Sequence, residues 1–232
     1  MADETQSGCK DSSINQISID LDFIAANRCL FEYSTIVLAG PVGVGKSTVA
    51  QLLCRRNRNI RIVQNTTTRA VRFDDPQGEM EFIDQGEFER RVSTKEFFFG
   101  RRKGKISYGY QKDRFAGVDS WRILMFRATG ATQLAKLLPK LPIVFLTAKV
   151  EHLQSVALQR KVSESEIAAT LRENDALFSS TRTAQLNELG YTSHVAQVPF
   201  RLWLYNDIDN PSTIEKNCES IEAMLKNIGN EH

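Results

Sequence analysis

Apolar and polar positions along this chain fall into short blocks whose period switches repeatedly between that of a strand and that of a helix. Thr35-Ile36-Val37-Leu38-Ala39 is an unbroken run ending in a glycine-rich turn, which predicts a strand buried on both faces. Residues 49–54 continue it as a helix. Further strands are predicted at 60–64, 122–126, 143–146 and 202–205, and helices at 132–138, 150–158, 164–177 and 212–228. Ser163 followed by Glu166 is a capping box for the helix at 164–177. Ile214, Cys218, Ile221 and Leu225 give the last helix one apolar side. Asp74-Asp75-Pro76-Gln77-Gly78 is a turn signal, with a helix expected to begin within 82–90, and 96–110 forms a basic, glycine-punctuated hairpin. Residues 17–31 mix both spacings, so a strand followed by a helix and a short helix both remain open; residues 1–15 have no apolar periodicity and are expected to be a loose tail.

Strands alternating with helices call for a mainly parallel sheet with helices on both faces. Composition agrees: 232 residues, 41% hydrophobic and 25% charged, suffice for one large α/β domain with small inserts. The net charge of +2 hides a bias, with Arg and Lys clustered at 101–105 and acids in the first 22 residues, and it does not by itself indicate a nucleic-acid partner. Cys9, Cys29, Cys54 and Cys218 form no metal-type pair and no disulfide framework, which favours a reducing, cytoplasmic setting. No stretch approaches the ~18 apolar residues of a membrane span, and the N-terminus has neither the basic nor the apolar region of a leader.

The first strand and helix enclose Gly40-Pro41-Val42-Gly43-Val44-Gly45-Lys46-Ser47-Thr48, which fits G-x-x-x-x-G-K-[ST] at every fixed position. Backbone N–H groups of such a loop wrap phosphate, and the helix that follows points its positive end at it. Gly40, Gly43, Val44, Gly45, Lys46, Ser47 and Thr48 are therefore the expected ATP-binding residues. Lys46 would reach the β and γ phosphates, and Ser47 would ligand Mg²⁺.

The ordered set of motifs resembles the guanylate kinases, within the nucleoside monophosphate kinase branch of P-loop proteins. Thr67-Thr68-Arg69-Ala70-Val71-Arg72 matches the family's acceptor-phosphate motif, Tyr108-Gly109 its Tyr-Gly pair, 123–130 its strand-glycine-helix segment, 158–171 its mobile lid, and Asn206-Asp207 the Asn-Asp near the adenine. The resemblance spans about 34–228, after an N-terminal extension at 1–33 expected to be partly disordered. It implies a P-loop NTPase fold, three-layer α/β/α, with a small acceptor-binding β insert at about 65–112 and a helical lid at about 150–178. It implies an ATP- and Mg²⁺-dependent kinase acting on a small phosphorylated acceptor, with no nucleic acid or membrane partner indicated. Lys46, Arg69 and Arg160 would be catalytic, Arg69, Arg72, Tyr108 and Arg127 would bind the acceptor, and Asn206 would contact the nucleotide. Phosphoryl transfer rests on holding two anions in line and neutralising charge, so cations are needed from several directions, with Lys161 able to stand in for Arg160. The bland readings are a solvated basic turn for Arg69 and Arg72 and an exposed helix end for Arg160 and Lys161.

Departures from the family concentrate at the acceptor. Where the family reads guanine with carboxylates and a hydroxyl, this chain has Phe99, Tyr110, Met125 and Arg127, and Met80 replaces a phosphate-binding Tyr. No carboxylate occurs from Trp121 to Leu138. A site without the base's hydrogen-bond partner rejects that base, so GMP is not the expected acceptor. Arg101, Arg102, Lys103, Lys105 and Arg127 are expected to converge instead, either on an acceptor with more phosphate and less base or as a solvated hairpin tip. Ribose 1,5-bisphosphate phosphokinases lack the same acids, although Arg72 is not typical of them. A true guanylate kinase with a rearranged base site and a catalytically weak nucleotide-binding interaction module are also compatible with these residues. Without strand acids, Mg²⁺ would rest on Ser47, phosphate and water, with Asp113 or Asp207 as substitutes. The stretch 179–201 is longer than the family needs, and His152 and His194 have no spaced partner.

Overall fold

A computed structural model describes residues 16–117, 120–178, 201–207 and 210–230. The tail at 1–15, most of the long insertion and His194 lie outside the described residues. The described chain forms two compact units, one made of 16–21 with 64–113 and the other of 22–63 with the described residues from 114 onward.

The larger unit is built on a five-stranded parallel sheet. Its strands are β2 (Thr35–Ala39), β3 (Ile60–Ile62), β8 (Trp121–Phe126), β9 (Ile143–Thr147) and β10 (Arg201–Tyr205), in the order β10-β9-β2-β8-β3. Each of these falls within the apolar runs read from the sequence or within a residue or two of them. The central strand β2 is buried at all five positions because helices cover both faces. On one face Ile36 and Leu38 join a core with Val49, Ala50 and Leu53 of α3 (Lys46–Arg56) and with Ile214, Cys218, Ile221 and Leu225 of α9 (Pro211–Asn230). The apolar stripe of the last helix thus finds its partner. On the other, α6 (Ala128–Leu137) packs Ala128, Ala131, Leu134 and Ala135 inward. Helices α7 (Val150–Gln159) and α8 (Glu164–Phe178) follow β9 and pack on each other.

α6 begins four residues before the helix start read from the sequence, because no local residue caps it and the cap is tertiary, as described below. The open segment at 17–31 resolves as strand then helix: β1 (Gln16–Ile19), α1 (Leu21–Ala26) and α2 (Arg28–Ser34).

The smaller unit is a mixed sheet in the order β1-β6-β7-β4-β5, with β4 (Asn65–Thr67), β5 (Met80–Phe82), β6 (Phe97–Lys103) and β7 (Ile106–Gln111). β6 and β7 are the basic hairpin. A register shift between Phe97 and Phe99 breaks the alternation of β6, and Phe97, Phe98 and Phe99 are all buried in succession. Phe97 stacks on Phe88 of α4 (Gln85–Ser93), whose first turn is capped by Asp84 accepting from Glu87 N at 2.8 Å. The strands β4 and β5, three residues each, have no apolar period of their own and form by pairing within this sheet. The remaining helix is α5 (Lys112–Ala116).

Candidate active site

The glycine loop leaves β2 at Gly40 and enters α3 at Lys46. A Cβ on Gly40 would lie 2.4 Å from the Leu146 carbonyl oxygen, and one on Gly43, at φ +83°, would lie 2.9 Å from Val156 Cγ1. Only glycine permits this path. Gly45, the residue preceding α3, brings no side chain, so the first amides of the helix stay directed at the loop. A polyphosphate fits such a cradle.

Lys46 keeps some exposed surface, but its Nζ is turned inward, donating to the carbonyls of Gly40 (2.9 Å) and Pro41 (2.8 Å). Burial pushes this amine down to about 7; the Glu173 carboxylate opposes the shift, and the charges of Arg127 and Arg160 add to it. Lys46, Arg127, Arg160 and Glu173 therefore form one electrostatic cluster. Arg160 sits at the C-terminal end of α7, its N–H donating to Val156 O at 3.0 Å. The guanidinium of Arg127 is ion-paired with Glu173, whose other oxygen accepts from Ala128 N at 2.7 Å. The sequence puts Arg127 among the acceptor residues and the hairpin cations; within the larger unit its charge acts on the glycine-loop lysine.

Two further side chains fix the loop. Asn206 Nδ2 donates to Val44 O at 2.8 Å and its Oδ1 accepts from Asn217 at 3.3 Å, so its amide serves the loop backbone. His152, which has no spaced partner in the sequence, places Nε2 3.3 Å from Gly43 O. Ser47 Oγ lies 3.9 Å from Met125 Sδ, and Thr48 is exposed. Among the described residues no group of three or more His, Cys, Asp or Glu is arranged to hold a metal. Asp207 lies 3.4 Å from Lys149.

In the smaller unit hydroxyls lock the threonine-arginine motif onto β7. Thr67 Oγ1 donates to Ser107 O (3.0 Å) and accepts from Arg69 N (3.3 Å), while Thr68 Oγ1 accepts from Ser107 N (2.9 Å). Arg69 is thereby buried, with its guanidinium over the Phe82 ring and ion-paired at both terminal nitrogens with Asp75. Met80 Sδ lies 2.9 Å from the same guanidinium. Asp75 also accepts from Arg72 N at 2.6 Å, which closes the loop on itself. Tyr108 pairs in register with Thr67. Phe99 and Tyr110 are directly opposed on β6 and β7, exposed by only 3% and 1%, so two aromatic side chains fill the positions where the resemblance puts base-reading groups.

No family model matches the chain. Among curated proteins it is 31% identical over 145 residues to the guanylate kinase of Chlorobium luteolum, covering 59% of this chain and 72% of that one. The chain belongs to the guanylate kinase family. It is 36% identical over 116 residues to the guanylate kinase of Thermobifida fusca, of whose length it spans 58%. The crystal structure of guanylate kinase from Anaplasma phagocytophilum superposes with a TM-score of 0.54 at 21% identity, over 83% of this chain and 84% of that one, and supports the fold. A guanylate kinase-like chain with this loop is an ATP-dependent phosphotransferase. Within that frame, Glu173, Asp75 and His152 are the residues the sequence does not single out for the site. Glu173 carries no local signal beyond being an acid and acts on partners 45 and 46 residues away, whereas Asp75 lies in the turn signal and acts within its own loop, on Arg69 and Arg72.

Proposed function

We propose that this guanylate kinase-like chain uses ATP with Mg²⁺ to phosphorylate a small acceptor that already bears a phosphate, and that this acceptor is not GMP. The observation that carries the acceptor reading is the buried, cross-strand pairing of Phe99 with Tyr110. Guanine presents an N1–H and an amino group that need acceptors, and the Phe99 ring, standing where the resemblance puts a carboxylate, supplies none. The hairpin cations favour a phosphate-rich, base-poor acceptor such as a phosphosugar: Arg102 and Lys105 are exposed, and Arg102 is only loosely paired with Glu89 at 3.6 Å.

In this reading Lys46 stabilises the transferring phosphoryl group, the loop amides hold the donor, and Arg127 and Arg160 add positive charge where negative charge accumulates in the transition state. Ser47 would ligand Mg²⁺, which would neutralise charge on the donor phosphates, since this ion needs few protein carboxylates. Arg69 and Arg72 orient the acceptor phosphate, and Tyr108 completes the acceptor residues. A cytoplasmic setting belongs to the proposal and is supported by the free thiols of Cys29 and Cys218. No helix among the described residues is long and apolar enough to cross a membrane.

The test is a screen of nucleoside monophosphates and phosphosugars with ADP release as the readout. One or more phosphorylated acceptors should stimulate ADP release, and Lys46→Ala should abolish it. Efficient formation of GDP overturns the acceptor claim, and ATP binding without turnover on any acceptor overturns the kinase reading in favour of an interaction module.

A further inference from the structure

Two consecutive residues of α8 reach the ends of two different strands. Glu173, 8% exposed, is ion-paired with Arg127 and accepts from Ala128 N at 2.7 Å, at the point where the chain leaves β8. Asn174, 3% exposed, accepts from Ala148 N at 3.0 Å and donates to Ala148 O at 2.9 Å, just after β9 ends. In the sheet β8 and β9 flank β2 on either side, and β2 is the strand that runs into the glycine loop. One dipeptide therefore ties together the carboxyl ends of both neighbours of the nucleotide strand, the rim of a parallel sheet where ligands bind.

The two contacts differ in kind. Asn174 makes a neutral, two-pronged bond that reproduces strand pairing with Ala148 and fixes where α8 lies. Glu173 adds charge. Arg127 precedes α6 and makes no capping bond with its own side chain. The Glu173 carboxylate supplies that cap from 45 residues away, at the positive end of the α6 dipole, and holds the guanidinium with its second oxygen. A carboxylate missing from the strand itself is thus delivered by α8.

We infer that Glu173 and Asn174 staple α8 across β8 and β9, and that Glu173 is a positioning residue that holds the Arg127 guanidinium where β8 meets the glycine loop, one residue past the Phe126 carbonyl that accepts from Gly40 N at 3.2 Å, to receive the donor's phosphates. The inference rests on the reading of the larger unit as the ATP site. It does not depend on which acceptor the enzyme uses, because its test needs no acceptor.

The test is a double-mutant cycle on Mg·ATP affinity, measured by calorimetry with the full chain. Glu173→Gln keeps the side-chain shape and removes the charge, and Arg127→Met removes the guanidinium. Each should weaken Mg·ATP binding about tenfold, the scale of one charge-assisted hydrogen bond. The double variant should be no weaker than the weaker single one, because Glu173 acts through Arg127. A purely structural role for Glu173 makes the losses independent, and a double variant weakened about a hundredfold overturns the inference. So does either single variant that binds within about twofold of the unaltered chain. If circular dichroism shows that Glu173→Gln does not fold, Glu173→Ala with Asn174 retained replaces it in the cycle, and if that is also unfolded, Glu173 is a structural residue and the inference fails. An unaltered chain that binds no Mg·ATP is a different failure, that of the donor-site reading itself.

Discussion

The amine of Lys46 shows how one residue's surroundings become a measurable property. Burial pushes it from 10.5 to about 7, with Glu173 resisting and Arg127 and Arg160 reinforcing. Between those two values the folded chain binds fewer protons than the unfolded one, so stability rises with pH across that window. Below pH 7 the buried cation weighs on the folded state in full. Lys46→Met should therefore be more stable than the unaltered chain at pH 6, with the advantage shrinking as pH climbs toward 10.5; urea titrations at pH 6 and 9 measure it. Asp75 has the opposite sign. Burial raises its pKa, but the hydrogen bond from Arg69, the amide of Arg72 and the charges of both arginines outweigh burial and leave it below 3.8. Its contribution is present above 3.8 and is lost as pH falls through the lower, folded value. Asp75→Asn should cost about 3 kcal/mol at pH 7, the scale for leaving a buried partner uncompensated. The difference should vanish in strong acid, and unfolding followed from pH 7 down to pH 2 tests both limbs.

At the scale of elements, the glycine loop is held by what surrounds it: β9 behind Gly40, α7 against Gly43, and Asn206 on Val44. Gly43→Ala puts a Cβ into Val156 and forces a left-handed backbone on a residue with a side chain, for about 1–2 kcal/mol from the backbone alone. Nucleotide affinity should fall at least about tenfold while far-ultraviolet circular dichroism stays unchanged, since only a loop and the facing turn of α7 must shift. An unchanged affinity would show that α7 yields freely. Features whose parts are consecutive are legible in the sequence. The loop, its strand and its helix occupy one unbroken stretch, and the apolar runs of β2, β8 and β9 announce a buried sheet. What stays hidden depends on distant residues. The start of α6 is capped from α8, β4 and β5 are too short to show a period, and β1 shares an ambiguous segment with two helices. Asn206 can be placed at the end of a strand, but nothing local tells that its amide meets the carbonyl of Val44. Arg127 is legible as a cation near the site, and its true partner, Glu173, sits 46 residues on.

The molecule as a whole divides its residues between two compact units. Lys46, Arg127, Arg160, Asn206 and Glu173 all belong to the larger, and Arg69, Arg72, Asp75 and Tyr108 to the smaller. Each unit has its own core: aliphatic in the larger, around β2, α3 and α9, and aromatic in the smaller, around Phe88, Phe97 and Phe98. Separate cores mean that a ligand bound wholly within one unit stabilises the opening reactions of that unit first. A ligand at a hundredfold excess over its Kd adds about 2.7 kcal/mol, enough to slow exchange of the amides it protects by about a hundredfold. Hydrogen exchange with Mg·ATP alone should therefore protect residues 40–48, the start of α6 and the ends of β8 and β9, and leave 65–75 and β7 at their unliganded rates. A phosphorylated acceptor should do the reverse, protecting the Thr67-Thr68-Arg69 segment where hydroxyls tie it to Ser107. Protection of 65–75 by Mg·ATP alone would show that the donor site extends beyond the larger unit, and would move Arg69 from the acceptor's phosphate to the donor's.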